Sequence, residues 1–159
     1  MPPIQIPPID MGVALQMTIV FGWAMLLLLI DLFIAKDNKR LTGYLALLGV
    51  VAAAAAGIPY WGSNLSTFND MLVLDNFALT LNWIFLLSTA ITILISLDYL
   101  PRQGIERGEF YSLILFATGG MMLLAQGTDL IVLFLGLELL SITLYVLAGF
   151  AYPRVASEE

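Results

Sequence analysis

Five long runs of apolar residues alternate with short polar segments along this chain. Each run approaches the roughly 20 residues that an α-helix needs to cross the hydrocarbon core of a bilayer. The pattern therefore predicts an all-α fold, a polytopic transmembrane helix bundle with about five transmembrane helices over residues 12–152. The predicted helices are residues 12–35, 41–61, 76–97, 110–125 and 130–151.

Polar segments and turn residues separate and flank the apolar runs. Residues 1–11 hold four prolines and no basic residue, so we expect an extended, polyproline-like segment rather than a signal peptide. Gly127 and Asp129 in the last connection are typical of a helix end followed by a helix N-cap, which predicts a tight helical hairpin. Residues 153–159 are expected to form a cytoplasmic tail that is truncated.

The composition agrees with a membrane protein and excludes several classes of function. Hydrophobic residues occupy 60% of the 159 positions and charged residues 11%, whereas soluble domains carry about a quarter charged residues. Disordered proteins are polar and highly charged, so disorder is excluded as well. The chain has no Cys and no His, which excludes thiolate or imidazole metal sites, His-ligated haem and disulfides. The net charge of −6 disfavours binding to nucleic acid.

All six basic residues fall on one side of the predicted membrane. Five spans place them in the first and third connections and after the last span, at Lys36, Lys39, Arg40, Arg102, Arg107 and Arg154. Because Lys and Arg are enriched in cytoplasmic loops, we expect the N-terminus outside and the C-terminus in the cytoplasm. This division also supports five spans, since one helix more or fewer would scatter the charges over both sides.

Most acidic residues within or beside the predicted spans lie at helix ends, where water is available. Asp75 and Asp129 precede the third and fifth helices, and Asp98 follows the third. Asp31 lies about one turn inside the end of the first helix, within reach of Lys36 or of another helix. Capping, helix-dipole or interfacial roles are expected for these four carboxylates.

Glu138 is the exception, because it lies deep within the fifth apolar run. It is about eight residues from Leu130, which places it ~12 Å into the span at 1.5 Å per residue. A charged side chain there costs ~2.5–3.5 kcal/mol on insertion scales and usually faces a bundle interior or a water path. Helical spacing puts Ser141 and Tyr145 on the same side. Glu138 is therefore predicted to be a proton-relay carboxylate, with Ser141 and Tyr145 as polar support.

A packing role is the alternative interpretation of Glu138. A protonated carboxyl group can hydrogen-bond a neighbouring helix and hold two helices together. The chain offers no Lys within a predicted span as a counter-charge. Either Glu138 stays largely neutral, or its cation comes from another polypeptide or from sequence beyond this chain.

Several segments are typical of one family of membrane proteins. They are FYSLILFATGGMMLLA in the fourth helix, Thr128-Asp129-Leu130 in the hairpin, LFLGLELLSITLYVLAGF in the fifth helix, LLLLIDLF in the first helix and LDNFAL before the third. In these segments the chain closely resembles the antiporter-like subunit N of respiratory complex I, the proton-translocating NADH–quinone oxidoreductase. Family members have about fourteen helices, so the chain is expected to be the N-terminal five-helix portion only.

The resemblance implies a membrane-arm subunit that takes part in proton translocation coupled to quinone reduction. It implies that Glu138 is the family's fifth-helix glutamate, which pairs with a lysine of a later helix. No cofactor is expected in this chain, and quinone, NADH, FMN and Fe–S clusters are expected only in partner subunits. The expected partners are other integral membrane subunits and the lipid bilayer, in the inner (plasma) membrane if the source is a bacterium.

Two other functions agree with the same residues. The first is a subunit of a related multisubunit cation/proton antiporter, which neighbouring genes would distinguish from a quinone oxidoreductase. The second is a truncated paralogue that acts as a structural scaffold in another membrane complex, which co-purification would reveal.

Overall fold

The computed structural model describes residues 10–35 and 38–150, and within them the fold is a helix bundle. Residues 1–9, 36–37 and 151–159 lie outside the described residues, so most of the predicted extended segment 1–11 and the whole predicted tail 153–159 are not described. The helices are α1 (Leu15–Asp31), α2 (Arg40–Gly57), α3 (Asn76–Gln103), α4 (Glu109–Gln126) and α5 (Leu130–Ala148), and a single 3₁₀ turn (Ile58–Tyr60) follows α2. The predicted all-α polytopic bundle is confirmed. By length and composition, α2 with its 3₁₀ turn, α3, α4 and α5 are suited to cross a membrane, and α1 is shorter at 17 residues.

Helix α3 extends beyond the predicted end of the third span at residue 97. Pro101 lies in its last turn, and Gly104 ends the helix in the left-handed conformation with φ 62°. The Gly104 N–H donates to the carbonyls of Leu100 and Pro101, and the Ile105 N–H also donates to Leu100 at 3.2 Å. This end matches the common glycine-terminated helix, which satisfies carbonyls that the helix itself leaves free.

A short β-hairpin lies in the connection between α2 and α3, where the sequence predicts only turns. Its strands are β1 (Leu65–Thr67) and β2 (Leu72–Leu74), paired antiparallel with Ser66 opposite Val73. The α4–α5 connection is tied to this hairpin, because Leu72 forms an isolated bridge with Gly127 and the Thr128 N–H donates to the Met71 carbonyl at 3.1 Å. We call this end of the bundle the hairpin end.

The four basic residues that the structure describes lie at the other end, which we call the basic end. Lys39 and Arg40 are at the start of α2, and Arg102 and Arg107 are in or beside the α3–α4 connection. These helix ends lie at the same end of the bundle because α1 packs antiparallel to α2 and α4, and α3 also packs antiparallel to both. The shared end of these four charges agrees with the division of charge predicted from the sequence.

Helices α1–α4 enclose the core, and α5 packs mainly along α4. The core side chains between α3 and α4 include Leu86, Ile93, Leu115 and Met122, all of which are fully buried. Helix α5 approaches α4 closely at Gly120, where an added Cβ would lie 3.1 Å from the carbonyl oxygen of Gly136. Small residues allow such close approach of helices, which favours packing inside a bilayer.

Candidate functional site

The carboxylate of Glu138 lies on the side of α5 that faces away from α4. Glu138 is exposed, whereas Gly136 and Thr143 are the buried residues of this helix and face α4. Most of the large apolar side chains of α5 are exposed as well, among them Leu130, Ile131, Phe134, Leu135, Leu137 and Ile142. Glu138 is therefore a single carboxylate in the middle of an apolar helix face that no described helix covers.

Ser141 and Tyr145, the predicted polar supports, follow Glu138 at intervals of one and two turns along α5. Ser141 is half-buried and Tyr145 is 75% exposed. Neither ion pair among the described residues involves Glu138. Thr143, which the spacing places on another face, is buried and donates its hydroxyl to the Leu139 carbonyl at 2.6 Å. The predicted stripe thus lies on the uncovered side of α5.

A buried ion pair closes the basic end of the bundle. The Lys39 Nζ lies 2.9 Å from Asp31 Oδ2 and also donates to the Asp31 carbonyl oxygen at 2.9 Å. The Thr42 hydroxyl donates to Asp31 Oδ1 at 2.7 Å. The sequence places Asp31 within reach of Lys36 or another helix, and the structure gives Lys39 and Thr42 of the next helix as its partners. Lys36 lies outside the described residues.

The same carboxylate lies against the α3–α4 connection. A Cβ built on Gly108 would collide with the Asp31 carboxylate, so the absence of a side chain at Gly108 makes room for this group. The Asp31 cluster, which we define as Asp31, Lys39 and Thr42, therefore links the end of α1, the start of α2 and the start of α4. Its hydrogen bonds all join residues of this bundle end, which is typical of a structural contact.

Uncharged polar side chains form hydrogen bonds across the core between helices. The Asn82 amide of α3 donates to Gln16 Oε1 of α1 at 3.1 Å, and the Gln16 amide donates to the Ala53 carbonyl of α2 at 3.1 Å. The hydroxyls of Thr89 and Thr118 lie 2.6 Å apart between α3 and α4. Sequence reasoning did not single out these residues. The sequence could have indicated them, because a polar side chain within an apolar span usually bonds to a neighbouring helix.

The predicted caps of two helices are confirmed. Asp98, the last of the four helix-end carboxylates predicted from the sequence, forms an exposed ion pair. The Asp75 carboxylate accepts from the Ala78 N–H and that of Asp129 accepts from the Ile131 N–H, both at 2.8 Å. Asp98 pairs with Arg102 one turn later, and both side chains are largely exposed. Within residues 10–35 and 38–150 no group of three or more His, Cys, Asp or Glu is arranged to hold a metal ion.

Comparisons with known proteins support the family resemblance seen in the sequence. No family model matches the chain. It is 67% identical over 156 residues to NADH-quinone oxidoreductase subunit N 2 of Roseiflexus castenholzii, and 60% identical over 157 residues to NADH-quinone oxidoreductase subunit N of Chloroflexus aggregans. Each match covers 98% of this chain and 31% or 32% of the relative.

A third relative extends the same similarity to another genus. NADH-quinone oxidoreductase subunit N 1 of Herpetosiphon aurantiacus is 52% identical over 137 residues, which are 86% of this chain and 28% of that protein. The chain therefore spans about a third of the length of the curated relatives it matches. The predicted resemblance to subunit N of this oxidoreductase is confirmed over nearly the whole chain.

Proposed function

We propose that this chain is a portion of a membrane-arm subunit of proton-translocating NADH–quinone oxidoreductase, with Glu138 as its intramembrane proton-relay carboxylate. The similarity to curated subunit N proteins supports the assignment to this complex. The position of Glu138 supports the role in proton transfer, because it is an exposed carboxylate in the middle of an apolar helix. This second observation carries the proposal for the site.

The energetic argument starts from the surroundings of Glu138. A charged side chain in the hydrocarbon core costs ~2.5–3.5 kcal/mol on insertion scales, and more if it remains against lipid. The described helices offer Glu138 no ion pair that would offset this cost. We therefore infer that the uncovered face of α5 meets further protein or a water-lined path, where the carboxyl group finds a proton donor, an acceptor or a cation.

The chemistry of Glu138 is then the reversible binding of a proton within the membrane. A carboxyl group takes up the proton on an oxygen and releases it to a hydrogen-bonded water or side chain. Ser141 and Tyr145 provide hydroxyl groups along the same side of the helix, and these can orient such a water. No redox step is assigned to this chain, and electron transfer through quinone, NADH, FMN and Fe–S clusters is placed in partner subunits.

The partners are proposed to be other integral membrane subunits of the same complex, in the inner (plasma) membrane if the source is a bacterium. We propose that the basic end faces the cytoplasm, because Lys and Arg are enriched on that side. These 159 residues hold no Cys, so a Cys introduced at the exposed Asn64 or Gln103 is the one thiol within them, and the unaltered protein serves as the labelling control. A membrane-impermeant maleimide should label Asn64→Cys from outside and Gln103→Cys only in inverted vesicles, and the reverse pattern would refute the orientation.

Glu138→Gln in the full-length protein tests the relay. The amide keeps the size of the side chain but cannot exchange a proton, so proton pumping per NADH oxidised should fall while the complex assembles normally. Glu138→Asp is the matched control, because it keeps a carboxyl group and should retain part of the pumping. Unchanged pumping by the Gln variant in a correctly assembled complex would refute the role of Glu138.

A further inference from the structure

Three buried carboxamide side chains lie in the core at the hairpin end, one each on α1, α3 and α4. They are Gln16, Asn82 and Gln126, and none is more than 2% exposed. We call them the amide cluster. They are separate from Glu138, which is on the uncovered face of α5, so a role for the amide cluster does not depend on the proposed function.

The hydrogen bonds of the amide cluster are incomplete. The Gln16 amide N–H donates to the Ala53 carbonyl, and Gln16 Oε1 accepts a hydrogen bond from the Asn82 amide. Asn82 Oδ1 and both amide atoms of Gln126 have no hydrogen-bond partner among the described residues. A buried polar group without a partner costs about 1–3 kcal/mol, and native structures nearly always satisfy such groups with protein or ordered water.

Helix geometry places Asn82 and Gln126 at the same depth in the bundle. The contact between Thr89 and Thr118 fixes the register of the antiparallel helices α3 and α4. Asn82 lies seven residues before Thr89, and Gln126 lies eight residues after Thr118, so both are ~10–12 Å from this contact toward the hairpin end. The unsatisfied groups of the amide cluster therefore lie at one level of the core.

The β-hairpin covers this level. Leu72 of β2 forms a bridge with Gly127, the residue that follows Gln126. Thr67, Leu72 and Leu74 are buried, so one face of the hairpin packs onto the helix ends. The hairpin thereby separates the amide cluster from the aqueous phase at this end.

We infer that the amide cluster is a binding site for ordered water, enclosed by the β-hairpin and bonded to Asn82 Oδ1 and to the Gln126 amide. The unsatisfied atoms include a donor, Gln126 Nε2, as well as two acceptors. A water molecule both donates and accepts, so it can satisfy all three atoms. A bare cation would leave the Gln126 donor unsatisfied, which argues against an ion at this site.

Apolar side chains separate the bound water from the next polar pair of the core. The next level toward the basic end is filled by Leu86 of α3 and Met122 of α4, both fully buried. These side chains separate the amide cluster from the Thr89–Thr118 hydrogen bond. The role of the site is therefore to satisfy and join α1, α3 and α4 beneath the hairpin.

A high-resolution density map of the intact native assembly tests the inference directly. At a resolution that shows other buried waters, density should appear within about 3.2 Å of Asn82 Oδ1 and of the Gln126 amide. A core without density at these atoms overturns the inference. Density with several oxygen ligands at the shorter distances of a metal ion would also overturn it.

Two variants of the full-length protein test the inference by thermal melting, because a hydrated and a dry site predict changes of opposite sign in the thermal midpoint. If water satisfies the Gln126 amide, Gln126→Leu removes its hydrogen bonds and should lower the thermal midpoint by a few degrees. If the amide is dry and unsatisfied, the same change removes a penalty and the midpoint should rise. Gln103→Leu on the exposed end of α3 is the matched control and should leave the midpoint unchanged. A midpoint for Gln126→Leu that is equal to or above that of the unaltered protein overturns the inference.

Discussion

Polar side chains have opposite environments in the four-helix core of α1–α4 and on the outer helix α5. In the core, the polar groups are buried and most bond across helices, as do Asp31 with Lys39 and Thr89 with Thr118. On α5, Glu138 and Tyr145 are exposed on an apolar face. Both regions are built from apolar helices, so the presence of a long apolar run does not by itself distinguish them.

The difference separates polar groups that hold this part of the protein together from groups that the described helices leave without a partner. Inside a bilayer, helices gain little from hydrophobic contact with each other, because lipid is equally apolar. Interhelical hydrogen bonds and close packing must therefore specify how α1–α4 associate. A polar group that takes no part in this association, such as Glu138, is a candidate for function.

The strongest test of the comparison is removal of a charge from the Asp31 cluster. Asp31→Ala would leave Lys39 nearly buried without its partner, and the loss of one member of a buried pair costs about 3–5 kcal/mol. We expect the lower part of this range, because the Lys39 side chain is 13% exposed. The free energy of unfolding of the purified full-length protein, from thermal or denaturant melts, measures the effect.

The matched control for Asp31→Ala is Asp98→Ala on α3. Its partner Arg102 is exposed, and exposed pairs contribute at most about 1 kcal/mol. Equal losses for the two variants would contradict the view that the buried polar groups specify the core.

The attachment of α5 to α4 is tested next by filling the space at Gly120. Gly120→Leu would place a side chain against the Gly136 carbonyl and the Leu140 backbone, and such overpacking costs about 1–3 kcal/mol. Gly22→Leu on α1 is the control, since an added Cβ at Gly22 meets nothing within 4 Å. If both variants unfold at the same temperature, close backbone approach does not hold α5 in place.

A smaller effect is expected from loss of one hydroxyl in the core. Thr118→Val removes the hydrogen bond to Thr89 while keeping the shape of the side chain, at a cost of about 0.5–1.5 kcal/mol. Thr92→Val is the control, because the exposed Thr92 hydroxyl bonds only to the Ser88 carbonyl of its own helix. A double-mutant cycle with Thr89→Val should show coupling between the two threonines, and strictly additive losses would argue against a direct bond.

The smallest effect on stability is expected from loss of a hydroxyl on α5. Tyr145→Phe should change the free energy of unfolding by less than about 0.5 kcal/mol, because Tyr145 is 75% exposed and no described residue packs over it. Thermal melts in detergent provide the measurement, with Thr118→Val as the internal reference. A loss as large as that of Thr118→Val would mean that the two regions do not differ in how they use their polar groups.

The sequence predicts the helices and the α4–α5 turn well, and the end of α3 and the α2–α3 connection poorly. Each apolar run produced a helix, because a long apolar segment in lipid must satisfy its backbone internally. The predicted end of the third helix at residue 97 is too early, because α3 continues through Pro101 and ends only at Gly104 in the left-handed conformation. The β-hairpin was missed, because its strands are only three residues long and are stabilised by contacts with Gly127 and Thr128, more than fifty residues away.

The geometry around Glu138 could be predicted from the sequence only in part. The depth of Glu138 follows from counting along one helix, and so does its spacing from Ser141 and Tyr145. The side of α5 on which they lie could not be predicted, because it depends on which face packs against α4. The partner of Asp31 was left open for the same reason, since Lys36 and Lys39 are both close in sequence.

The sequence by itself determined the number of helices, the end of the bundle at which the described basic residues lie and the one carboxylate that lies deep within a span, Glu138. These are properties of local chain segments, set by apolar length and by the order of charges. Only the tertiary structure decided that most buried polar groups of the core bond across helices while Glu138 lies on a face that no described helix covers. The rotation of each helix about its axis decides this, and that rotation is set by side chains that meet from distant parts of the chain.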